Sequence, residues 1–331
     1  MVVYPDMNIW DKLAQNSPFF ILAPMDDVTD TSFRQLVAEV AAPDVFFTEF
    51  ASVDGLQSPG RSNVMQKLKF TEHERPLIAQ IWGLNPENFY KTAQEISEMG
   101  FDGIDLNMGC PTPVVTKKGA CSALINNPTL AAEIIDATKR GAGDLPVSVK
   151  TRIGFKTAIT EEWCGFLLEQ GITTLTVHGR TAKELSKVPN HWDEIGKVVE
   201  LRDSMKIETY IVGNGDVLSR EEGLAKADHY SLDGIMIGRG IFKDPYVFSK
   251  TDKSKDRNDL LKMYAKHIDL FEEAWGAAKN PATLKKFAKM YINGFEGASE
   301  IRAEAMFCRD LSGLREVVRH SIIDVVPERL L

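Results

Sequence analysis

Residues 103–107 read GIDLN and residues 147–151 read VSVKT, two short apolar runs of the kind that form strands inside a parallel sheet. Six further runs of this kind lie before residue 250, separated by longer amphipathic stretches. They are 19–24 (FFILAP), 45–48 (VFFT), 77–82 (LIAQIW), 173–178 (TTLTVH), 209–213 (TYIVG) and 234–238 (GIMIG). Eight strand–helix repeats predict a closed (β/α)8 TIM barrel of the α/β class. An open doubly wound sheet is the alternative with the same period.

Beyond the eighth run the strand signals stop. From about Arg257 the sequence has helical periodicity, which includes 282–295 (ATLKKFAKMYINGF) and a last stretch to Val325. We therefore predict two domains, a barrel at 1–249 and a smaller C-terminal all-helical domain at 250–331.

The composition is that of a soluble globular protein. The chain has 331 residues, 44% hydrophobic and 26% charged, and no window approaches the ~18 consecutive apolar residues of a bilayer span. With 39 basic and 47 acidic residues the net charge is −8, which argues against nucleic-acid binding over the whole surface but leaves room for a local basic patch. Residues 1–20 lack the features of a secretory signal, so we expect a cytoplasmic protein.

Polar residues follow or interrupt the predicted strands, and TIM barrels carry their catalytic groups at the carboxyl ends of the strands. From the first run to the eighth they are Asp26 and Asp27, Glu49, Gln80, Asn107, Lys150 and Arg152, His178 and Arg180, Asn214 and Asp216, and Arg239. We expect these side chains to meet at one end of the barrel.

Two glycine loops follow the last two predicted strands, GNGD at 213–216 and GRG at 238–240. Each alone is as often a plain turn, because Gly and Asn tolerate positive φ. At this place in a barrel, backbone N–H groups commonly bind a phosphate. The two loops together therefore predict a phosphorylated cofactor.

Lys150 stands within an apolar run, where an ammonium group without a partner is unfavourable. A flavin ring is a suitable partner, because the reduced ring carries negative charge near its nitrogen 1 and carbonyl oxygen 2. His178 closes the next run and would hold the same edge of the ring, and Gln80 offers an amide donor and acceptor. For both residues a hydrogen-bonded place in the core is the competing interpretation.

The four cysteines show no paired spacing, so we expect reduced thiols and neither a disulfide framework nor a structural zinc site. Cys110 lies in a Gly-Cys-Pro loop just past the fourth run, which would leave its thiol at the barrel mouth. A thiol at that point would act as a general acid beside a hydride donor. Cys164 and Cys308 are expected to be inert small apolar residues, and Cys121 fits either interpretation.

The residues quoted so far make the sequence recognisable, because it resembles the tRNA-dihydrouridine synthases, flavin enzymes that reduce selected uridines of tRNA to dihydrouridine. The resemblance covers essentially the whole barrel, in order and in spacing. It rests on APMDDVTDTSFR (23–34), TEF (48–50), QIWG (80–83), DLNMGCPTPVV (105–115), VSVKTRIG (147–154), TVHGRT (176–181), GNGD (213–216) and DGIMIGRGIFKDPYVF (233–248).

The resemblance implies an FMN-dependent oxidoreductase acting on a CH–CH group with NAD(P), built from an FMN-binding catalytic barrel and a helical tRNA-binding domain. NADPH would reduce the FMN, hydride would pass to carbon 6 of the uracil, and Cys110 would protonate carbon 5. The residues assigned to the cofactor are Pro24, Met25, Gln80, Lys150, His178, Asn214, Gly215, Asp216, Gly238 and Arg239. Those assigned to the uracil or the RNA are Asn107, Arg152 and Arg180. The implied partners are tRNA and NADPH, and we expect a monomer with no metal and no membrane contact.

The sequence departs from the family's pattern at three places near the expected site. Asp26 and Asp27 occupy positions where the family usually has small residues, and Val114 occupies one where it often has a basic residue. Cys121, which follows Gly119 and Ala120, occupies a position where the family often has a second glycine. The helical domain matches only loosely, through its periodicity and its basic residues Lys285, Lys286, Lys289 and Arg302. Basic residues near the mouth, Lys117, Lys118 and Lys183, are either RNA contacts or a solvated loop face.

Two other functions stay open. A flavin barrel acting on a free small molecule, such as a dihydroorotate or dihydropyrimidine dehydrogenase, is favoured by the net charge of −8 but does not require the helical appendix. A tRNA-binding module without turnover would not need the intact set of Cys110, Lys150 and His178.

Overall fold

The computed structural model describes residues 7–251, 253 and 255–322. The first six residues and the end of the predicted last helical stretch, from residue 323 to Val325, lie outside this range. The described residues contain no helix that is both long enough and apolar enough to cross a membrane.

Parallel strands form a closed ring in the described chain, as predicted for a TIM barrel. The strands are β1 (Phe19–Leu22), β2 (Phe46–Phe47), β3 (Ala51–Ser52), β4 (Leu77–Trp82), β5 (Gly103–Met108), β6 (Val147–Arg152), β7 (Thr174–His178), β8 (Tyr210–Asn214) and β9 (Gly234–Ile237). Their order is β1-β9-β8-β7-β6-β5-β4-β2, and a bridge between Ile21 and Val45 brings β1 beside β2. Each of the eight predicted runs contains a strand, and the short β3, which pairs with β4, is an addition to the prediction.

Helices follow the strands and continue alone after the last strand. The α-helices of the described residues are α1 (Ile9–Ala14), α2 (Thr31–Ala41), α3 (Val53–Leu56), α4 (Arg61–Met65), α5 (Pro86–Glu98), α6 (Pro113–Thr116), α7 (Pro128–Ala142), α8 (Thr160–Leu168), α9 (Trp192–Met205), α10 (Arg220–His229), α11 (Arg257–Trp275), α12 (Ala288–Tyr291), α13 (Ala298–Phe307) and α14 (Leu311–His320). Short 3-10 helices lie at Gln66–Leu68, Glu72–Glu74, Cys121–Asn126, Arg239–Phe242 and Pro281–Phe287.

The strand period divides the barrel interior into an apolar lower part and a polar upper part. Phe19 and Ile21 of β1 point inward with other apolar side chains, and Trp10 of α1 covers them with its ring centroid 5.8 Å from that of Phe19. On β6 the inward positions instead carry Ser148 and Lys150, and the strand ends in Arg152. The polar residues therefore collect at the carboxyl end of the barrel, above an apolar plug.

The helices after Arg257 pack directly on the barrel. α11 lies against α2, and Phe287 places its ring centroid 4.9 Å from that of Phe33. Trp275 Nε1 donates to Asp30 Oδ2 at 3.0 Å, and Lys279 Nζ donates to the same oxygen at 2.8 Å. One apolar core therefore runs from the outer layer of the barrel into the helical part. The division at 249 and 250 stays a prediction.

Candidate active site

A cavity of about 700 Å³ opens at the carboxyl ends of the strands, and its size is that of a cofactor or ligand site. Ten of the residues predicted for cofactor or RNA line it, namely Pro24, Met25, Lys150, Arg152, His178, Asn214, Gly215, Asp216, Gly238 and Arg239. Four predicted residues, Gln80, Asn107, Cys110 and Arg180, are not among its lining residues, although Pro111 beside Cys110 is. The structure thus brings most of the predicted set to one place.

Lys150 is held at the floor of the cavity. Its Nζ donates to Asn214 Oδ1 at 3.0 Å, and the Asn214 amide is itself fixed because its Nδ2 donates to Met236 O at 2.7 Å. Burial lowers the pKa of Lys150 to about 8, and the nearby Arg152 cation adds to this effect while Asp105 opposes it. Within the described part of the chain, the lysine therefore has a hydrogen-bond partner but no carboxylate in contact, which leaves its charge available to an electron-rich ligand.

His178 lies among cations at the same level of the barrel. Its Nε2 is 3.5 Å from a guanidinium nitrogen of Arg180. Burial, and then the charges of Arg152, Lys150 and other cations, holds the pKa of His178 well below its ordinary value. The imidazole is therefore neutral at pH 7 and offers one donor and one acceptor.

The two glycine loops lie next to each other in the cavity wall. Gly215 has φ of 134°, a conformation open to glycine, and the adjacent Asp216 has φ of 54°. Among the described residues, no group accepts a hydrogen bond from the backbone N–H groups of Gly215, Asp216 and Arg239. The Asp216 carboxylate contacts Arg180 and accepts from Arg239 at 2.8 Å. Free N–H groups beside an arginine form a concave site suited to a phosphate.

A buried hydrogen-bond chain runs beneath the cavity toward Cys110. Asp105 accepts from Ser148 at 2.6 Å and from Gln80 Nε2 at 2.7 Å, and Gln80 Oε1 accepts from Asn107 Nδ2 at 3.0 Å. Asn107 Oδ1 then accepts from the backbone N–H of Cys110 at 2.9 Å. Both ends of each amide are thus occupied by protein groups, so Gln80 and Asn107 position the Cys110 loop, and their predicted flavin and uracil contacts stay predictions.

Asp105 is the member of this chain that sequence reasoning missed. It is fully buried, and burial raises the pKa of Asp105 to about 6 against the effect of its hydrogen bonds from Ser148 and Gln80. A signal was present in the sequence, because GIDLN places Asp105 two residues before Asn107 and hence on the same face of β5.

Cys110 is half-buried at the rim of the barrel, with its Sγ 3.2 Å from Thr112 Oγ1. The Cys121 thiol lies beside it. The hydrogen bond from Cys121 lowers the pKa of Cys110 to about 6 against the effect of burial, and Thr112 and the Arg152 cation contribute to the lowering. The lowered pKa favours the thiolate form of Cys110 in the free protein.

The two arginines predicted to meet RNA are engaged with the protein. Arg152 donates through Nε to Gly109 O at 2.8 Å and through a second nitrogen to Thr181 O at 3.1 Å, and it still lines the cavity. Arg180 is only 2% exposed and donates to Val188 O at 2.7 Å. Both hold the loops of the mouth in place, and their contact with RNA stays a prediction.

The extra acidic pair noted in the first loop is balanced locally. Lys67 contacts Asp26 and lies 3.3 Å from Glu49 Oε1, and Glu49 accepts from the Asp27 N–H at 2.6 Å. Lys286 of the helical part donates to the Asp27 carbonyl. The loop after β1 is thus tied both to the barrel and to the C-terminal helices.

Comparison with known proteins points to one family. The family model described as dihydrouridine synthase matches residues 21–326. A "Probable tRNA-dihydrouridine synthase 2" of Bacillus subtilis (strain 168) is 45% identical over 315 residues, which cover 94% of this chain and 95% of the relative. A "Probable tRNA-dihydrouridine synthase" of Staphylococcus aureus (strain COL) is 45% identical over 314 residues, covering 94% of each chain.

A solved structure of an asparagine-to-alanine mutant of morphinone reductase in complex with tetrahydroNAD is similar in fold. The match has a TM-score of 0.50 with 11% sequence identity, and it covers 69% of this chain and 85% of that one. At this identity the likeness concerns the barrel fold alone.

Proposed function

The chain belongs to the dihydrouridine synthase family, and from that premise we propose that it reduces the C5=C6 bond of specific uridines in tRNA to give dihydrouridine. The observation that carries the proposal is the cavity at the carboxyl end of the barrel, with Lys150 at its floor and the Cys110 thiol at its rim. The names of the relatives at 45% identity support tRNA as the substrate.

The residues of the cavity fit FMN. Lys150 and His178 supply a cation and a neutral imidazole, and the N–H groups of Gly215, Asp216 and Arg239 have no acceptor among the described residues. The first pair suits the flavin ring and the second set suits its phosphate. Bound here, FMN would be reduced by NADPH and would supply the hydride for the uracil.

The chain's own chemical contribution is the proton. Cys110 donates from Sγ to carbon 5 of the uracil, so that one hydride and one proton together saturate the C5=C6 bond. Asn107 and Arg152 fix the Cys110 loop from opposite sides through the N–H of Cys110 and the carbonyl of Gly109. Because the thiol is the donor form and the pKa of Cys110 is about 6 in the free protein, uracil reduction by the reduced enzyme should slow as the pH rises above this value.

The substrate must adapt to this site. A uridine within folded tRNA reaches a cavity inside a barrel only after it leaves its stack. Arg152 lines the cavity, and the C-terminal helices carry lysines next to the loop after β1. We place the reaction in the cytoplasm and propose that one chain acts alone.

The experiment is to purify the chain, test for bound FMN by its visible absorption, and incubate it with NADPH and one of four substrates. These are unmodified tRNA, uridine, uracil and dihydroorotate. We expect a yellow protein that forms dihydrouridine only in tRNA. Reduction of the free bases alone would point to a small-molecule dehydrogenase, and a colourless protein that FMN cannot reconstitute would remove the basis of the proposal.

Two cysteine variants test the proton donor. Cys110→Ala should still oxidise NADPH but should lose dihydrouridine formation by at least ~100-fold, in line with the loss of a general acid. Cys308→Ala, on the C-terminal helices, is the matched control and should keep full turnover. Full turnover by Cys110→Ala would exclude Cys110 as the donor.

A further inference from the structure

We propose that Cys110 and Cys121 form an oxidation site, in which a peroxide converts the two thiols into a reversible disulfide. The inference concerns the chain's own thiols and stands whether or not dihydrouridine is the product.

The two thiols are already neighbours. Cys121 is fully buried in a small apolar cluster that also includes Val115 and Ala120, and Cys110 packs against this cluster. The Ser122 N–H donates to the Cys110 carbonyl at 3.3 Å, so the backbone segments that carry the two cysteines are joined as well. A disulfide between them therefore requires little movement of the chain.

The chemical characters of the two thiols are complementary. Cys110 is half-buried at the rim, where a small oxidant reaches it, and the hydrogen bond from Cys121 favours its thiolate form. Cys121 is buried and stays protonated, because its hydrogen bond to Cys110 and its burial raise the pKa of Cys121 far above its ordinary value. A half-buried, accessible thiolate next to a buried thiol is the arrangement of an attacked and a resolving cysteine.

In the described part of the chain, the other two cysteines have no second cysteine beside them. Cys164 is fully buried in the outer layer of the barrel, and Cys308 contacts the Glu304 carbonyl in the C-terminal helices.

The backbone at Cys121 is also unusual, since its φ of 55° lies in the left-handed region that favours glycine. Cys121 therefore occupies a backbone conformation that glycine would adopt with less strain.

The reaction balances in two steps. The Cys110 sulfur attacks one oxygen of hydrogen peroxide, the O–O bond breaks, and a sulfenic acid and water form. The Cys121 sulfur then attacks the Cys110 sulfur, the S–S bond forms, the S–O bond breaks, and the thiol proton leaves with the hydroxyl group as water. Two thiols lose two electrons in total, and one peroxide becomes two waters.

The product would switch off the proposed proton donor. A Cys110 sulfur bonded to Cys121 has no proton to give, and a dithiol would restore both thiols by exchange. The pair would also protect Cys110, because a sulfenic acid captured by Cys121 does not proceed to the irreversible sulfinic acid.

The test uses the full chain, hydrogen peroxide, and mass spectrometry of tryptic peptides after blocking of free thiols. Lys117 and Lys118 lie between the two cysteines, so trypsin separates peptide 92–117 from peptide 119–139. We expect the two peptides to appear linked after peroxide and to separate again after a dithiol. Cys110 found only as free thiol or sulfinic acid in the treated protein would overturn the proposal.

Two variants sharpen the test. Cys121→Gly suits the local backbone and removes the resolving thiol, so peroxide should drive Cys110 to sulfinic acid and the fraction of thiol recovered by a dithiol should fall by at least ~10-fold. Cys308→Ser is the matched control and should keep the linked peptides. Equal recovery in Cys121→Gly and in the unaltered chain would contradict the resolving role. Neither readout depends on dihydrouridine formation, so a failure here is separable from a failure of the proposed function.

Discussion

Lys150 shows how a single buried cation inside a barrel indicates a ligand-binding site. It is an ammonium group on an inward position of β6, in register with Asn107 on one side and Thr176 on the other. Its only hydrogen bond among the described residues goes to an amide oxygen, and burial lowers its pKa to about 8. A protein keeps such a cation without a contacting carboxylate where a ligand completes the site.

We predict that Lys150→Met weakens FMN binding by about 10-fold to 100-fold, which corresponds to one charge-assisted contact. The free energy of unfolding of the FMN-free protein should stay the same or rise by about 1 kcal/mol, because a desolvated charge is replaced by an apolar side chain of similar size. Fluorescence titration with FMN and urea unfolding measure the two effects. Lys183→Met, an exposed lysine in a neighbouring loop, is the control. An unchanged FMN affinity in Lys150→Met would exclude this lysine from the flavin site.

At the same scale, sequence predicted which residues gather but not what each one contacts. Lys150, His178 and Asn214 line the cavity as expected. Gln80 and Asn107 are not among its lining residues, and their amides are hydrogen-bonded to each other, with Gln80 also bonded to Asp105. Such pairing depends on strand register, which a single sequence does not reveal.

Elements were predicted best where their period is regular. The eight apolar runs became strands, whereas residues 282–295, expected as one helix, form the 3-10 helix Pro281–Phe287 and the short α12. The next helix, α13, starts only after Gly294 and Gly297, both with positive φ. The spacing of apolar residues does not distinguish a continuous helix from two short helices on the same apolar face. The two glycines indicate the interruption.

The start of α2 is the junction between the barrel and the helical part. Asp30 caps α2 by accepting from the Phe33 N–H at 3.1 Å, and its other oxygen accepts from Trp275 and Lys279. Burial alone would raise the pKa of Asp30, but the Lys279 cation and its hydrogen bond outweigh this and lower the pKa below its ordinary value.

We predict that Asp30→Ala lowers the free energy of unfolding at pH 7 by about 3 kcal/mol, because it removes a cap and leaves a largely buried lysine unpaired. The contribution of the lowered pKa is fully present above the unfolded-state pKa of an aspartate and is lost as the pH falls through the lower folded-state value. The difference between variant and unaltered chain should therefore shrink in acid. Urea unfolding at several pH values measures it.

Asp310→Ala is the matched control for this prediction. Asp310 caps α14 by accepting from the Gly313 N–H at 2.8 Å, but it is exposed and has no tryptophan or lysine partner among the described residues. Its loss should lower the free energy of unfolding by about 1 kcal/mol. Equal losses for the two aspartates would show that Asp30 acts as a helix cap alone.

The net charge of the molecule is negative, yet three lysines of the C-terminal helices have no carboxylate partner among the residues that the structure describes. The net charge is −8, but Lys285, Lys286 and Lys289 form no ion pair with a carboxylate in the described part of the chain. Lys285 and Lys286 donate to backbone carbonyls instead, at Met306 and at Asp27 of the barrel mouth. Lys286 therefore places a cation beside the mouth, and a cluster of lysines that includes it suits a polyanion.

We predict that changing Lys285, Lys286 and Lys289 together to Gln weakens tRNA binding and makes its salt dependence shallower, by about one unit of slope for each phosphate that the variant no longer neutralises. Binding measured at several salt concentrations tests this. The control is the triple change of Lys91, Lys197 and Lys226, which pair with carboxylates on barrel helices. The same salt slope in both triple variants would exclude this face as an RNA contact.

The joint between barrel and helices was beyond prediction from the sequence. Asp30 and Trp275 are 245 positions apart, and the sequence around either residue does not indicate a contact with the other. Their contact nevertheless ties α2, which begins directly after the loop that carries Met25, to the end of α11.

That joint decides which molecule changes shape when enzyme and RNA meet. Asp30, Trp275 and Lys279 join the two parts, and Lys286 adds a second contact at Asp27, so we expect the barrel and the helical part to keep their relative position when RNA binds. If the two parts of the protein keep their relative position, the tRNA has to change conformation for a uridine to enter the cavity. The rearrangement therefore falls on the nucleic acid, and uridines in loosely structured regions of tRNA should be modified fastest.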